Sequence, residues 1–153
     1  MANREKKILI FGINNEFYAT DIMEIERILG FEEPTRVPDS PDFVEGVINY
    51  EGNILPIICL SKKFNIPKTQ IYNDSDRKII VAKEKTGKIG ILVDIVSEVK
   101  DINIDNIEAP PEIVAGISKR YIKGLIKEED KIIIFLNLGT ILTEEEKEII
   151  NKE

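Results

Sequence analysis

The chain has 153 residues, of which 42% are hydrophobic and 32% charged, and a formal net charge of −7; these values are typical of a soluble globular domain. The negative charge, together with only four tyrosines, six phenylalanines and no tryptophan, argues against a nucleic-acid partner. The sequence has no histidine, which excludes Ser-His or Cys-His nucleophile pairs and imidazole metal ligands.

The hydrophobic runs and the single cysteine predict a cytoplasmic protein. The longest apolar runs, 89–93 and 132–136, are far shorter than the ~20 residues of a membrane span, so no direct membrane insertion is expected. Residues 1–7 are polar and show no signal peptide. Cys59 is the only cysteine, which excludes a disulfide framework.

Short runs rich in isoleucine, valine and aromatic residues, separated by turn residues, predict an all-β fold. Taken in chain order, the predicted strands are 7–13, 16–20, 45–50, 53–58, 78–83, 89–93, 123–127 and 131–136. Asn14-Asn15 and Thr86-Gly87 predict tight hairpin turns, because Asn and Gly tolerate positive φ. Pro56 interrupts a strand, so we expect that strand to lie at a sheet edge or to carry a bulge.

Little helix is predicted. Residues 21–26 and 60–64 have room for one or two turns each. Residues 143–152 give the clearest helix signal, because Thr143 and Glu146 form a capping box and Ile149 and Ile150 provide a small apolar face. Residues 34–42, 67–76 and 110–115 are predicted loops.

An internal repeat organises the chain. Residues 46–64 align with 124–142 without a gap, and the pairs Gly46/Gly124, Ile48/Ile126, Glu51/Glu129, Ile54/Ile132 and Leu60/Leu138 are identical. A twofold repeat of hairpins predicts two small barrels of about five strands each. The approximate halves are 8–66 and 77–142, with strand exchange between them possible. Because such small barrels bury little surface alone, we expect a shared apolar seam.

Three polar motifs were weighed as chemical sites. The string 86–90, Thr-Gly-Lys-Ile-Gly, lacks the spacing of a phosphate-binding loop and predicts a hairpin turn. The acidic string 128–130 has no metal-liganding period. Asp94 and Asp101 are weak evidence for acid–base chemistry. We therefore predict no catalytic residue, no metal site and no cofactor.

Residues 41–60 read Pro-Asp-Phe-Val-Glu-Gly-Val-Ile-Asn-Tyr-Glu-Gly-Asn-Ile-Leu-Pro-Ile-Ile-Cys-Leu. This segment resembles the signature of the chemotaxis coupling proteins, the CheW family: Gly-Val-Ile-Asn-Leu-Arg-Gly, three residues, then Pro-Val-hydrophobic-Asp-Leu. Further matches lie in the family's order on both sides of this segment, before it at 17–25 and 37–38 and after it at 90–99, 124 and 136–142. Cys59 stands where the family often has aspartate, and a small buried hydrophobic residue there is the simplest explanation.

The resemblance implies two five-stranded SH3-like barrels in a double-barrel fold that occupies residues 1–153 as a single domain. It also implies a non-catalytic adaptor with two partners, the cytoplasmic tip of methyl-accepting chemotaxis receptors and the regulatory domain of the histidine kinase CheA. We expect a complete, stand-alone protein that is monomeric by itself.

Site residues are implied by the same resemblance. Ile25, Arg27, Gly46 and Glu51 correspond to a receptor-binding groove between the barrels, although Ile25 is equally a core candidate and Gly46 a backbone requirement. In the family the position of Glu51 is usually arginine and that of Arg27 commonly acidic. The double reversal predicts an ion pair between Arg27 and Glu51.

The kinase contact is expected on an apolar surface of the second barrel near Ile79, Val96 and Val99, residue types that are often core instead. Three other interpretations stay open from the sequence. The chain could be a regulatory module of a larger kinase or of another chemosensory-type pathway, a small-ligand-binding β-barrel, or a nucleic-acid-binding barrel that its charge disfavours.

Overall fold

β-Strands make up most of the structure, a computed structural model that describes residues 4–66, 75–84, 87–110, 121–142 and 146. The strands are β1 (Glu5–Ile13), β2 (Glu16–Asp21), β3 (Ile25–Gly30), β4 (Val44–Tyr50), β5 (Asn53–Cys59), β6 (Lys78–Glu84), β7 (Gly87–Val93), β8 (Ile95–Asn103), β9 (Ile107–Glu108), β10 (Ile122–Glu128) and β11 (Lys131–Leu136). The helix α1 spans Leu60–Lys63, and single 3-10 turns occupy Ile22–Glu24, Ile104–Asn106 and Leu138–Thr140. The all-β prediction is confirmed.

The strands form two sheets, and each sheet takes strands from both repeat halves. Sheet one has the order β8-β1-β2-β11-β10-β9, and sheet two has the order β3-β6-β7-β5-β4. Two parallel pairings join the halves, β2 with β11 and β5 with β7. Neither half therefore forms a sheet by itself, because each N-terminal hairpin of a half completes the sheet of the other.

Each sheet encloses a core of its own, and a third core lies between the sheets. In β1, Ile8 and Ile10 belong to the core of sheet one, whereas Leu9 and Phe11 belong to the core shared with sheet two. Side chains alternate across a strand, so β1 is buried on both faces and reads as a continuous apolar run. The shared apolar seam that the repeat predicts is present.

A buried lysine also bridges the seam. The Lys63 side chain is only 9% exposed, and its Nζ lies 5.0 Å from the ring centre of Phe43 and 5.4 Å from that of Tyr121. Glu146, which is helical, pairs with Lys63 at 3.0 Å. Of the predicted C-terminal helix 143–152, only Glu146 lies within the described residues.

Three strands were not predicted from the sequence: the two-residue β9 and the longer strands β3 and β8. Both β3 and β8 contain an extra residue. Ile25 pairs with Ala82 and Arg27 with Val81, which leaves Glu26 without a partner across the ladder. Val96 and Glu98 pair with neighbouring residues of β1, which leaves Ser97 in the same position. Such a bulge breaks the alternation of a strand. Of the predicted helix 21–26, only Ile22–Glu24 is helical, as a single 3-10 turn.

Pro56 does not lie on an edge strand, in contrast to one expectation from the sequence. Strand β5 pairs with β4 on one side and with β7 on the other. Pro56 is opposite Val47, whose own N–H and C=O bond to Thr35 on the far side of β4. The parallel ladder with β7 begins only at Ile57. Proline is tolerated there because no ladder bond to its nitrogen is lost.

The Glu24 carboxylate joins the first crossover between the sheets to the chain after β11. It accepts hydrogen bonds from the Thr20 hydroxyl at 3.0 Å and the Leu138 N–H at 3.2 Å, and it lies 3.2 Å from Lys123 Nζ. Thr20 is fully buried. A carboxylate in this position satisfies two donors that have little access to water.

We expect Glu24→Ala to lower the free energy of unfolding by about 2–4 kcal/mol, because it leaves the Thr20 hydroxyl and the Leu138 amide without an acceptor. Glu24→Gln is the control, since it keeps an acceptor oxygen and loses mainly the attraction to Lys123, ~1 kcal/mol or less. Urea denaturation measures both. Equal midpoints for Glu24→Ala and the unmodified protein would contradict this assignment.

Candidate functional site

A pair of opposite charges lies where β3 passes the turn between β4 and β5. The Arg27 guanidinium is 2.9 Å from the Glu51 carboxylate, and both side chains are about half exposed, 55% and 50%. Glu51 and Gly52 have φ values of +50° and +83°, as a tight two-residue hairpin turn requires. The predicted Arg27–Glu51 ion pair is confirmed.

Tyr50 connects this pair to a second one. The Tyr50 hydroxyl donates a hydrogen bond of 2.6 Å to Glu26, and Lys88 Nζ lies 3.0 Å from the other oxygen of Glu26. The hydrogen bond to Glu26 raises the pKa of Tyr50 to about 12. The same bond, followed by the one from Lys88, lowers the pKa of Glu26. At neutral pH the phenol therefore stays protonated and the carboxylate stays charged.

The Tyr50 ring lies beneath both cations, with the Arg27 guanidinium carbon 5.8 Å and Lys88 Nζ 5.6 Å from its centre. We call Glu26, Arg27, Tyr50, Glu51 and Lys88 the charged cluster. Its two cations and two carboxylates balance. Cation–π contacts and ion pairs together hold the Arg27 head group in one orientation at the surface.

The structure brings Arg27 and Glu51 together but gives Ile25 and Gly46 other surroundings. Ile25 begins β3, two residues before Arg27, and is half-buried against the core between the sheets. Gly46 is buried in β4 with φ of +145°, and a Cβ there would lie 2.3 Å from the Thr35 carbonyl oxygen. Gly46 therefore fulfils a backbone requirement.

The three kinase-contact candidates do not form one surface. Ile79 is fully buried in the core of sheet two, so its predicted place on an apolar surface is wrong. Strand β6 is covered on both faces, because Ile79 and Val81 face one core while Ile80 and Ala82 face another. Val96 and Val99 lie on β8, at the edge of sheet one.

Val99 is 49% exposed, whereas Val96 packs against the core between the sheets. Ile95, at the start of β8, is 41% exposed. Val99 and Val96 lie on the same face of β8, because their partners Leu9 and Phe11 both belong to the shared core, whereas Ile95 is opposite Gly12 and lies on the other face.

Two exposed isoleucines, one in each repeat half, were not predicted from the sequence. Ile54 in β5 is 75% exposed and Ile132 in β11 is 56% exposed, and the internal repeat aligns the two. Each follows a tight turn in which a glutamate, Glu51 or Glu129, has positive φ. The continuous apolar sequence of these strands conceals the exposed positions, and the identity of the repeat pair is the only signal for them.

The described residues include no group of three or more Cys, Asp or Glu side chains placed to hold a metal ion. In the same part of the chain, no helix is both long and apolar enough to cross a membrane.

Comparison with known proteins gives a consistent result over almost the whole chain. A family model described as CheW-like domain matches residues 7–146. The chain belongs to the CheW-like domain family. It is 32% identical over 146 residues to the chemotaxis protein CheW of Klebsiella aerogenes, covering 95% of this chain and 87% of that protein.

Two further CheW proteins are similar over nearly the same extent of the chain. The chemotaxis protein CheW of Thermotoga maritima is 33% identical over 146 residues, covering 94% of this chain and 91% of its own length. The crystal structure of the scaffolding protein TtCheW from Thermoanaerobacter tengcongensis matches with a TM-score of 0.83 and 33% identity, covering 93% of this chain and 90% of that one. The CheW fold implied by residues 41–60 is confirmed.

Proposed function

We propose that this chain is a non-catalytic, cytoplasmic adaptor that couples chemotaxis receptors to the regulatory domain of the histidine kinase CheA. The observation that carries the proposal is the CheW-like domain match over residues 7–146, with relatives named chemotaxis protein CheW that align over most of their own length. The absence of histidine from the sequence excludes a nucleophile activated by histidine and an imidazole metal ligand.

The receptor contact is assigned to the charged cluster and its neighbours. Arg27 and Glu51 present a half-exposed ion pair whose geometry is held by Tyr50. Ile25 supports the start of β3 from the seam, and Gly46 fixes the path of β4 against Thr35. In this proposal Arg27 and Glu51 touch the receptor, while Ile25 and Gly46 position them.

The kinase contact is assigned to Val99, which is exposed on β8, with Val96 beneath it on the same face. An adaptor of this type needs separate surfaces for its two partners, and these residues lie in sheet one whereas the charged cluster lies in sheet two. A change in the receptor would then alter the geometry at these contacts and shift the population of the complex between its alternative arrangements.

We expect Val99→Lys to weaken binding of the kinase regulatory domain about tenfold or more, because it places a charge in an apolar contact. Ile28→Lys is the matched control. Ile28 is 39% exposed in β3, which contains a bulge as β8 does. It lies three residues after Ile25, on the far side of the bulge, and Val99 lies three residues after Val96 in the same way. Isothermal titration calorimetry with the regulatory domain measures both variants. Loss of binding in Ile28→Lys alone would move the contact to sheet two.

A further inference from the structure

The two hairpin ends that carry exposed isoleucines differ in charge. Ile132 is opposite Lys127 in the ladder of β10 and β11, and Lys127 Nζ lies 3.5 Å from the Glu108 carboxylate of β9. Ile54 is opposite Asn49 in the ladder of β4 and β5. Since the repeat aligns residue 49 with residue 127, the first hairpin lacks the cation that the second one has.

Two acidic side chains lie beside the first hairpin, where no counterpart of Lys127 is present to pair with them. Glu32 and Glu33 line a surface groove of about 470 Å³ together with Thr35, Val47, Asn49 and Ile54. Both glutamates are exposed, and neither has an ion-pair partner within the described part of the chain. The nearest cation along the sequence, Arg36, lines a neighbouring cavity formed with Asp39 and Asp42 instead. We call this feature the Ile54 groove.

The backbone of β4 is open beside the groove. The N–H and C=O of Val47 both point away from β5, since they bond to Thr35 at 2.9 and 2.8 Å. Backbone groups alternate in direction along a strand, so those of Asn49 point the same way as those of Val47. Among the described residues no backbone group bonds to them. One residue of an extended chain can therefore bond to the backbone of Asn49, between the bridge to Thr35 and the turn at Glu51.

We propose that the Ile54 groove binds an extended segment of a partner protein that carries a lysine or arginine beside a branched apolar side chain. The cation takes the place that Lys127 has in the second hairpin and pairs with Glu32 or Glu33. The apolar side chain covers Ile54, and the segment's backbone bonds to Asn49. This surface adjoins the charged cluster at the turn between β4 and β5, where Gly52 lines the groove, and it lies in the other sheet from β8.

The test is an NMR titration of the full-length, ¹⁵N-labelled protein with the capped peptide Ser-Thr-Lys-Val-Thr-Val-Ser. We expect shifts at Val47, Asn49 and Ile54 that saturate at millimolar peptide. A peptide with glutamate in place of lysine should bind at least about fivefold more weakly, because it brings a like charge to Glu32 and Glu33.

Two variants test whether a cation at the position of Asn49 competes with the lysine of the peptide. Asn49→Lys installs the internal cation of the second hairpin and should weaken binding of the lysine peptide about two- to fivefold. Lys127→Asn, the reciprocal change, should leave binding at the Ile54 groove unchanged.

Three results would overturn the proposal. The first is an absence of shifts at these residues up to about 5 mM peptide, near the limit of weak recognition. The second is equal affinity for the lysine and glutamate peptides. The third is that the peptide causes no shifts, whereas the same residues shift with the concentration of the protein alone. That result would assign the groove to a second copy of this chain. None of these results bears on coupling of receptor and kinase, which is measured with those partners.

Discussion

Replacing Gly46 with alanine is expected to lower the free energy of unfolding by about 2–4 kcal/mol. The backbone at Gly46 has φ of +145°, which side-chain-bearing residues rarely adopt, and the new Cβ would lie 2.3 Å from the Thr35 carbonyl oxygen. That oxygen accepts a hydrogen bond from the Val47 N–H, so it cannot move away without breaking the bridge between Thr35 and β4. Urea and thermal denaturation measure the loss.

The repeat supplies matched controls for Gly46→Ala. At Gly124 an added Cβ would lie 2.4 Å from a methyl carbon of Ile107 and 2.9 Å from the Glu108 carbonyl oxygen. The backbone contact is looser than at Gly46 and φ is not positive, so Gly124→Ala should cost less than Gly46→Ala. At Gly30 nothing lies within 4 Å of the added Cβ. Gly30→Ala should therefore be nearly neutral. Equal stability of the Gly46 and Gly30 variants would contradict the role assigned to Gly46.

The second large effect concerns receptor binding. We expect Glu51→Arg to weaken binding of a receptor cytoplasmic fragment at least about tenfold, because it places two arginines where an attractive pair now lies 2.9 Å apart. Arg27→Glu should have a similar effect by bringing two carboxylates together. The stability of either variant should change little, by ~1 kcal/mol or less, since the pair is half exposed.

The double variant distinguishes a contact from a purely internal pair. Arg27→Glu combined with Glu51→Arg restores the attraction and inverts its direction, so we expect it to regain binding to receptors that serve coupling proteins of the common charge arrangement. Binding of fragments from both receptor types is measured by titration. A double variant that binds the original receptor as tightly as the unmodified protein would show that the charges have no part in receptor choice.

The local sequence pattern predicts most strands of this fold, including β4 and β10, although each of these contains a bulge near its start. Eight predicted strands are present, whereas the two-residue β9 and the longer strands β3 and β8 were missed. In β3 and β8 an extra residue, Glu26 or Ser97, shifts the following side chains to the opposite face. The resulting apolar spacing of three, Ile25 to Ile28 and Val96 to Val99, is typical of a helix. The bulge is set by pairing with β6 and β1, which the local sequence does not contain.

Site prediction succeeded where two residues departed together from the expected charges. The reversal at Arg27 and Glu51 predicted their contact, and the structure places them in an ion pair. The rest of the charged cluster could not be predicted in this way. Tyr50, Glu26 and Lys88 lie on three strands, and only their pairing order brings them together.

Burial of Ile79 was also beyond the local pattern. An apolar run is read equally well as a strand with an exposed face or as one buried on both faces. Strand β6 is of the second kind because it lies between the core of sheet two and the shared seam. The seam follows from the exchange of hairpins between the repeat halves, which a comparison of the halves alone leaves open.

The most direct test of the adaptor role is assembly of all three components. The purified chain is mixed at tens of micromolar with a CheA regulatory domain and a receptor cytoplasmic fragment, and the mixture is analysed by sedimentation velocity. We predict a species that contains all three proteins and that is lost when this chain is omitted. Sedimentation of the chain as a free protein, with neither partner bound at these concentrations, would contradict the proposed function.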